Sequence, residues 1–269
     1  MKRILLELVM VAVAVVFLFP VYALITLSLK DPAQIASHPL GLPKPPTTAN
    51  FTQAWSEASL GSALLNSTLI TAGSLVLLIA LGSFAAYYLA RQASRLGYGL
   101  YILFLLGIIL PFQLGMIPLY KSFADLDLIG SYEAIIIFYT GIQLPFTVFL
   151  YIGFLRALPI DFEDAALIDG CSPWQVFRYV VFPMLKPITV TALVLNAIAI
   201  WNDFFTPLLY LSGSDQQTMP VAVAGFVGQF VTDWNLIFAA LLISIVPILV
   251  VYFALQRSII NGFAGGLKG

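Results

Sequence analysis

The chain has 269 residues, of which 61% are hydrophobic and only 9% charged, with a net charge of -1; globular proteins average roughly half apolar and a quarter charged. This marks an integral membrane protein and excludes nucleic acid as a partner, because twelve scattered Lys and Arg supply no concentrated basic surface for phosphate. One cysteine, Cys171, and one histidine, His38, exclude a disulfide framework, a Cys-rich or His-based metal site and a Ser/His/Asp triad.

A charge at the bilayer centre costs at least about 2.5 kcal/mol and a span needs about 20 apolar residues, so charge-free runs locate the spans. Six runs are predicted. The first, Ile4 to Leu29, carries Glu7 near its start, where it can snorkel to the surface, and Pro20 inside. Lys2 and Arg3 precede it as in a signal peptide, but its length and the absence of a small-residue cleavage site favour a retained span. The second lies between Glu57 and Arg91 and the third between Arg95 and Lys121. The fourth lies between Glu133 and Arg156, the fifth runs from Pro187 to Leu211 and contains Asp203, and the sixth lies between Asp233 and Arg257.

Basic residues in alternate loops give the orientation. With a cytoplasmic N-terminus, Lys2, Arg3, Arg91, Arg95, Arg156, Arg178, Lys186, Arg257 and Lys268 fall inside, and Lys30, Lys44 and Lys121 outside. The bias predicts that both termini are cytoplasmic. The resulting organisation is an N-terminal helix over 1–30, an external Pro-rich segment over 31–60 that reads as an extended strap, and a core over 61–257. A cytoplasmic loop spans 156–187 and a Gly-rich tail 258–269. The tripeptides at Asn50 and Asn66 have the form of glycosylation acceptors, but such matches are common by chance.

The longest cytoplasmic loop holds "PIDFEDAALIDGCSPWQVFRYVVFP". Asp161 reads as an N-cap with Asp164 three residues on, and Gly170 as a left-handed C-terminal stop. A second helix is predicted to open at Ser172, with Pro173 in the first position and Gln175 completing a capping box, and to end at Pro183. Phe162, Ala165, Ala166 and Asp169 share one face of the first helix, with Glu163 and Asp164 beside it. The small alanines suit docking into a groove of another protein. The competing reading is an amphipathic helix on the membrane, although such helices usually present Lys and Arg to the lipid rather than acids.

In the spans, Asp203 is an ionisable residue and hence a pathway candidate, yet about 25 Å from Lys186 by helical rise it also suits the outer interface. Asn196, Trp201 and Asn202 lie nearby and suit a sugar, while Trp201 equally suits an interfacial belt. Gln113 with Pro111 and Pro118, and Gln143 with Pro145, mark spans three and four as broken or kinked.

"DAALIDGCSPWQVFRYVVFP" resembles the signature of the inner-membrane permease subunits of ABC importers: Glu-Ala-Ala, three residues, Gly, nine residues, Ile, one residue, Leu-Pro. Ala165, Ala166, Gly170 and Pro183 stand at family positions, with Asp164 for Glu, Val180 for Ile and Phe182 for Leu. Further stretches, "LSLKDP", "NSTLITAG", "AAYYLAR", "IPLYKSFADLDLIGS", "WNDFFTPLLYL" and "QRSIINGFAGGLKG", are similar to the carbohydrate branch, specifically the smaller permease of maltose-type transporters.

The resemblance implies an all-α type I importer permease fold with six transmembrane helices, in which Asp161, Glu163, Asp164, Ala165, Ala166, Asp169, Gly170 and Pro183 belong to the element that couples to an ATPase. It further implies that Gly265, Gly266 and Lys268 lie near the ATPase, and that the cargo is an oligosaccharide, disaccharide, polyol or glycerol phosphate. The implied partners are a second permease subunit, an ATPase dimer, an extracytoplasmic sugar-binding protein and membrane lipid. No lysine stands between a Gly and a Ser or Thr, so the chain has no P-loop. ATP and Mg are therefore expected on the partner ATPase, with no cofactor and no catalysis in this chain. An ion-coupled secondary carrier is the alternative; it requires coordinating residues near the midplane, where only neutral polar groups occur.

Overall fold

The computed structural model describes residues 2–92, 94–229 and 233–266. Among them every regular element is helical. Four helices are long and apolar enough to cross a membrane, and two bent pairs raise the number to as many as six. They are α1 (Lys2–Ser28), α4 (Leu60–Arg91), α7 (Tyr132–Ala157) and α14 (Trp234–Gly266). The first bent pair is α5 (Arg95–Ile109) with α6 (Gln113–Asp125), turned by 102°. The second is the segment Pro173–Met184 followed by α11 (Lys186–Trp201), turned by 70°.

These breaks follow backbone chemistry. Pro111 stands in the gap between α5 and α6, and a residue that precedes proline is pushed out of the helical region; Leu110 adopts φ -69°, ψ 125°. The third apolar run is thus interrupted at Pro111. Span four is not: Pro145 sits inside α7, which runs unbroken through it. Span five also departs from expectation. α11 ends at Trp201, and the short α12 (Phe205–Tyr210) follows a gap that contains Asp203.

The chain forms two compact units. One comprises residues 1–66 and 217–247. In it the Pro-rich segment is not a strap throughout: Asp31 accepts the Gln34 N–H at 2.8 Å and Pro32 opens α2 (Pro32–Ser37), while residues 38–48 carry no regular element. A second helix, α3 (Ala49–Glu57), follows. Lys30 is fully buried, and its ammonium donates to the carbonyls of His38 at 2.9 Å and Pro39 at 2.8 Å. Asn50 donates to the Ser28 and Lys30 carbonyls, each at 2.8 Å, and accepts from the Asn235 amide at 2.8 Å. Asn50 and Asn66 are both buried, so neither tripeptide offers its amide to a glycan. On α1 the side chains from Ile4 to Tyr22 are exposed; an apolar helix exposed all round is stable only against lipid or another chain.

The other unit comprises residues 67–216 and 248–269. Its centre is α7, against which α4, α5 and α11 pack. Close approach uses small residues, as in membrane helix packing generally. A Cβ at Gly82 of α4 would lie 2.8 Å from Thr147 Cγ2, and one at Gly107 of α5 would lie 2.9 Å from Pro145 Cγ. One apolar cluster joins Ala86, Tyr151, Leu155, Phe177 and Leu185; a second joins Ile70, Ile135, Phe138, Ile200 and Tyr210.

Candidate functional site

The loop after α7 folds as two short helices. The first, α8, runs Asp161–Ile168, followed by α9 (Pro173–Val176), a π-helical turn (Phe177–Val181) and α10 (Phe182–Met184). Asp161 is not the N-cap: Ile160 holds that place, and Asp161, Glu163 and Asp164 fill the first turn. The acids therefore act on the helix dipole rather than through a capping box.

Gly170 behaves as its position predicts, with φ +86°. Its N–H donates to Leu167 O and the Cys171 N–H donates to Ala166 O, each at 3.0 Å; this is the Schellman pattern with glycine at the left-handed position. Immediately after it Ser172 accepts from Gln175 N at 3.4 Å, and the Gln175 side chain accepts from Ser172 N at 2.7 Å. The capping box is therefore complete. A terminator at Gly170 and an initiator at Ser172, two residues apart, fix the angle between α8 and α9.

Pro183 does not end this helix. The Phe182 N–H bonds back to Phe177 O in π geometry, and helix resumes through Met184. Proline has no N–H to donate, and the wider turn before it absorbs that missing bond. The break comes at Leu185 instead, ahead of α11.

The two faces of α8 differ. Phe162, Leu167 and Ile168 are exposed, Ile168 by 85%, among the exposed Asp161, Asp164 and Asp169. Ala165 is exposed and Ala166 half-buried. Apolar tips ringed by acids are a poor match for anionic lipid, which favours Lys and Arg. Glu163 instead turns inward and is 7% exposed. Its carboxylate accepts from Arg91 Nε at 2.8 Å and the Tyr87 hydroxyl at 3.0 Å, and lies 2.7 Å from Arg91 Nη2. Sequence reasoning placed Glu163 on the docking helix without finding this pair, because Tyr87 and Arg91 are 76 and 72 residues away. Aromatic contacts extend the same junction. Phe84 stacks on Trp174 at 5.3 Å and meets Phe177 at 4.5 Å, and Tyr87 meets Phe177 at 5.4 Å.

The pathway candidates divide. Gln143, Asn202 and Asp203 line one cavity of about 460 Å³ together with Phe112, Phe138 and Tyr139. A cavity of about 620 Å³ beside the α5/α6 break shares Phe112 and Gln143. Asp203 lies in the gap between α11 and α12, outside any helix. Its carboxylate accepts from the Tyr139 hydroxyl at 3.1 Å and the Phe205 N–H at 3.0 Å, one residue ahead of the α12 N-cap Phe204. Asn196 is buried and donates to Thr147 Oγ1 at 3.1 Å and Ala192 O at 2.8 Å, which makes it a packing residue of the α7/α11 contact. Trp201 is buried and lines neither cavity; Gln113 is exposed at the start of α6 and lines neither. Of the tail residues, Gly265 and Gly266 close α14, so the expected tail is helical through 266, and Lys268 lies outside the described residues.

Comparison with known proteins gives these features a family. The chain is 38% identical to the melibiose/raffinose/stachyose import permease protein MelC of Bacillus subtilis, over 96% of this chain and 94% of that one. It is 34% identical to the multiple sugar-binding transport system permease protein MsmG of Streptococcus mutans, over 94% and 92%. The fold matches a chain in the crystal structure of a bacterial ABC transporter involved in import of the acidic polysaccharide alginate, with TM-score 0.83 and 21% identity over 95% of each chain. Residues 78–263 match the family described as binding-protein-dependent transport system inner membrane component. The chain belongs to that family of multi-pass inner-membrane transport components.

Proposed function

We propose that this chain is one of two different permease subunits that together enclose the pathway of an ATP-driven importer for a neutral oligosaccharide or disaccharide. As a family member it is a transport component and not an enzyme. Hydrolysis of ATP, with Mg, falls to a dimer of partner ATPase subunits, and an extracytoplasmic binding protein delivers the sugar.

The observation that carries this reading is α8, an acid-rich helix with exposed Phe162, Leu167 and Ile168, held at a fixed angle by the Gly170 turn and the Ser172 cap. A loop that only connected two spans would need none of this order. α8 enters a cleft of the ATPase, with Asp161, Asp164, Ala165, Ala166 and Asp169 at the contact, and ATP-driven closure of the ATPase dimer moves it. Each bent helix pair counts as one span, which gives six with both termini cytoplasmic and the α14 end near the ATPase. The cavity lined by Phe112, Tyr139, Gln143, Asn202 and Asp203 joins ring faces with amide and carboxylate groups, the set that suits sugar rings and hydroxyls.

Family membership leaves an ion-coupled carrier without support. A ligand screen on the cognate binding protein, with raffinose and melibiose included, followed by uptake into proteoliposomes that hold both permeases and the ATPase, tests the proposal. Uptake that needs internal ATP is expected; uptake without the ATPase sinks the proposal.

A further inference from the structure

The ion pair that turns Glu163 inward joins three helix ends. Arg91 is the last residue of α4, Glu163 lies in the first turn of α8, and Leu158 is the C-cap of α7, whose carbonyl receives Arg91 Nη2 at 3.5 Å. The charges match the helix dipoles: a cation sits where α4 and α7 present their negative ends, and an anion where α8 presents its positive end. Tyr87, one turn before Arg91 on the same face, closes the carboxylate from its other side.

This junction matters because α8 is weakly anchored otherwise. It has eight residues, too few to be stable alone, and no side chain caps its start. It packs mainly against α9 and the π-helical turn that follow it. Those elements rest on α4 in turn, through Phe84 and Tyr87 against Trp174 and Phe177. The last two turns of α4 are therefore the common seat of the whole cytoplasmic element, and the Arg91–Glu163 pair is its polar bolt.

We infer that Arg91, Tyr87 and Glu163 form a rigid tie that transmits displacement of α8 to α4, so that the docking helix and this span move as one body. The inference rests on the proposed ATPase docking of α8. Arg91 and Tyr87 are positioning residues, which act through Glu163 and touch neither nucleotide nor sugar. A largely buried ion pair in which Arg91 Nε and Nη2 share one carboxylate oxygen and the Tyr87 hydroxyl holds the other suits this task, because pulling it apart strands a buried charge.

The test measures the separation between spin labels on the native Cys171 and on a V76C cysteine. Val76 is exposed on α4, about 22 Å by helical rise from Arg91. The assembled complex in proteoliposomes is compared without nucleotide and with ATP plus vanadate. With the tie intact, the separation is the same in both states. In R91Q it shifts and broadens with ATP and vanadate but not without nucleotide. A merely structural contact would alter both states equally in R91Q. Where R91Q fails to assemble, E163Q, which keeps an amide for Tyr87 and loses the ion pair, carries the same comparison. Constant separation in the assembled variant, or a nucleotide-dependent shift in the parent, overturns the tie. Failure of any ATPase to copurify with the parent overturns the docking reading instead.

Discussion

The Tyr139 hydroxyl on α7 donates to the Asp203 carboxylate at 3.1 Å, and the other carboxylate oxygen accepts the Phe205 N–H at 3.0 Å. One acid thus fastens the first turn of α12 to α7, at the wall of the 460 Å³ cavity. Asp203→Ala leaves the buried Tyr139 hydroxyl and the first turn of α12 without this partner, at a cost of about 1–3 kcal/mol. Asp203→Asn keeps an acceptor for the Phe205 N–H and costs less. Thermal unfolding of the detergent-purified complex checks the order, wild type above Asn above Ala.

Removal of Arg91 alone strands a buried carboxylate. Arg91→Met is expected to lower stability by about 3–5 kcal/mol, whereas Arg91→Met with Glu163→Met recovers most of the loss, because two apolar side chains need no partner. A double-mutant cycle on thermal unfolding measures this; equal losses in the single and double variants would contradict it.

At Gly170 the left-handed backbone alone sets the requirement, since nothing lies within 4 Å of an added Cβ. Gly170→Leu and Gly170→Val leave the chain in the membrane but cost about 1–2 kcal/mol at the bend and abolish ATP-dependent uptake, while Gly170→Asn retains most of it. Membrane content and uptake, measured side by side, separate loss of coupling from loss of protein.

Gly82 is fixed by contact instead. Gly82→Ala drives a methyl into Thr147 and is expected to cost about 1–3 kcal/mol, whereas Gly153→Ala on α7, with nothing within 4 Å, leaves stability within about 0.5 kcal/mol. Matched melting curves of the two variants decide this.

Legibility in the sequence followed the range of the interaction responsible. Spans one, two, four and six are set by runs of residues that exclude charge, and the runs mark them to within a few residues. The Ser172–Pro173–Gln175 start and the Gly170 stop are local hydrogen-bond patterns, readable over four residues. Pro111 and Pro145 look alike in sequence, yet only the first interrupts its helix; α7 continues through Pro145. Asp203 reads in sequence as an acid within a span, since its bond to Tyr139 reaches 64 residues away. The Pro-rich segment hid α2 and α3, since Pro32 at a first helical position looks the same as a proline in an extended strap. Glu163 is indistinguishable in sequence from Asp161 and Asp164, because its inward turn depends on Arg91, 72 residues away.

The central claim is that α8 and the turn after it sit in a cleft of a partner ATPase. Cys171, the chain's single cysteine, follows Gly170 and permits a direct measurement, disulfide crosslinking to a cysteine introduced into that cleft in the assembled complex. A crosslink whose yield changes between the nucleotide-free and ATP-vanadate states is the predicted result. No crosslink in either state, with the ATPase still bound to the complex, would contradict the account.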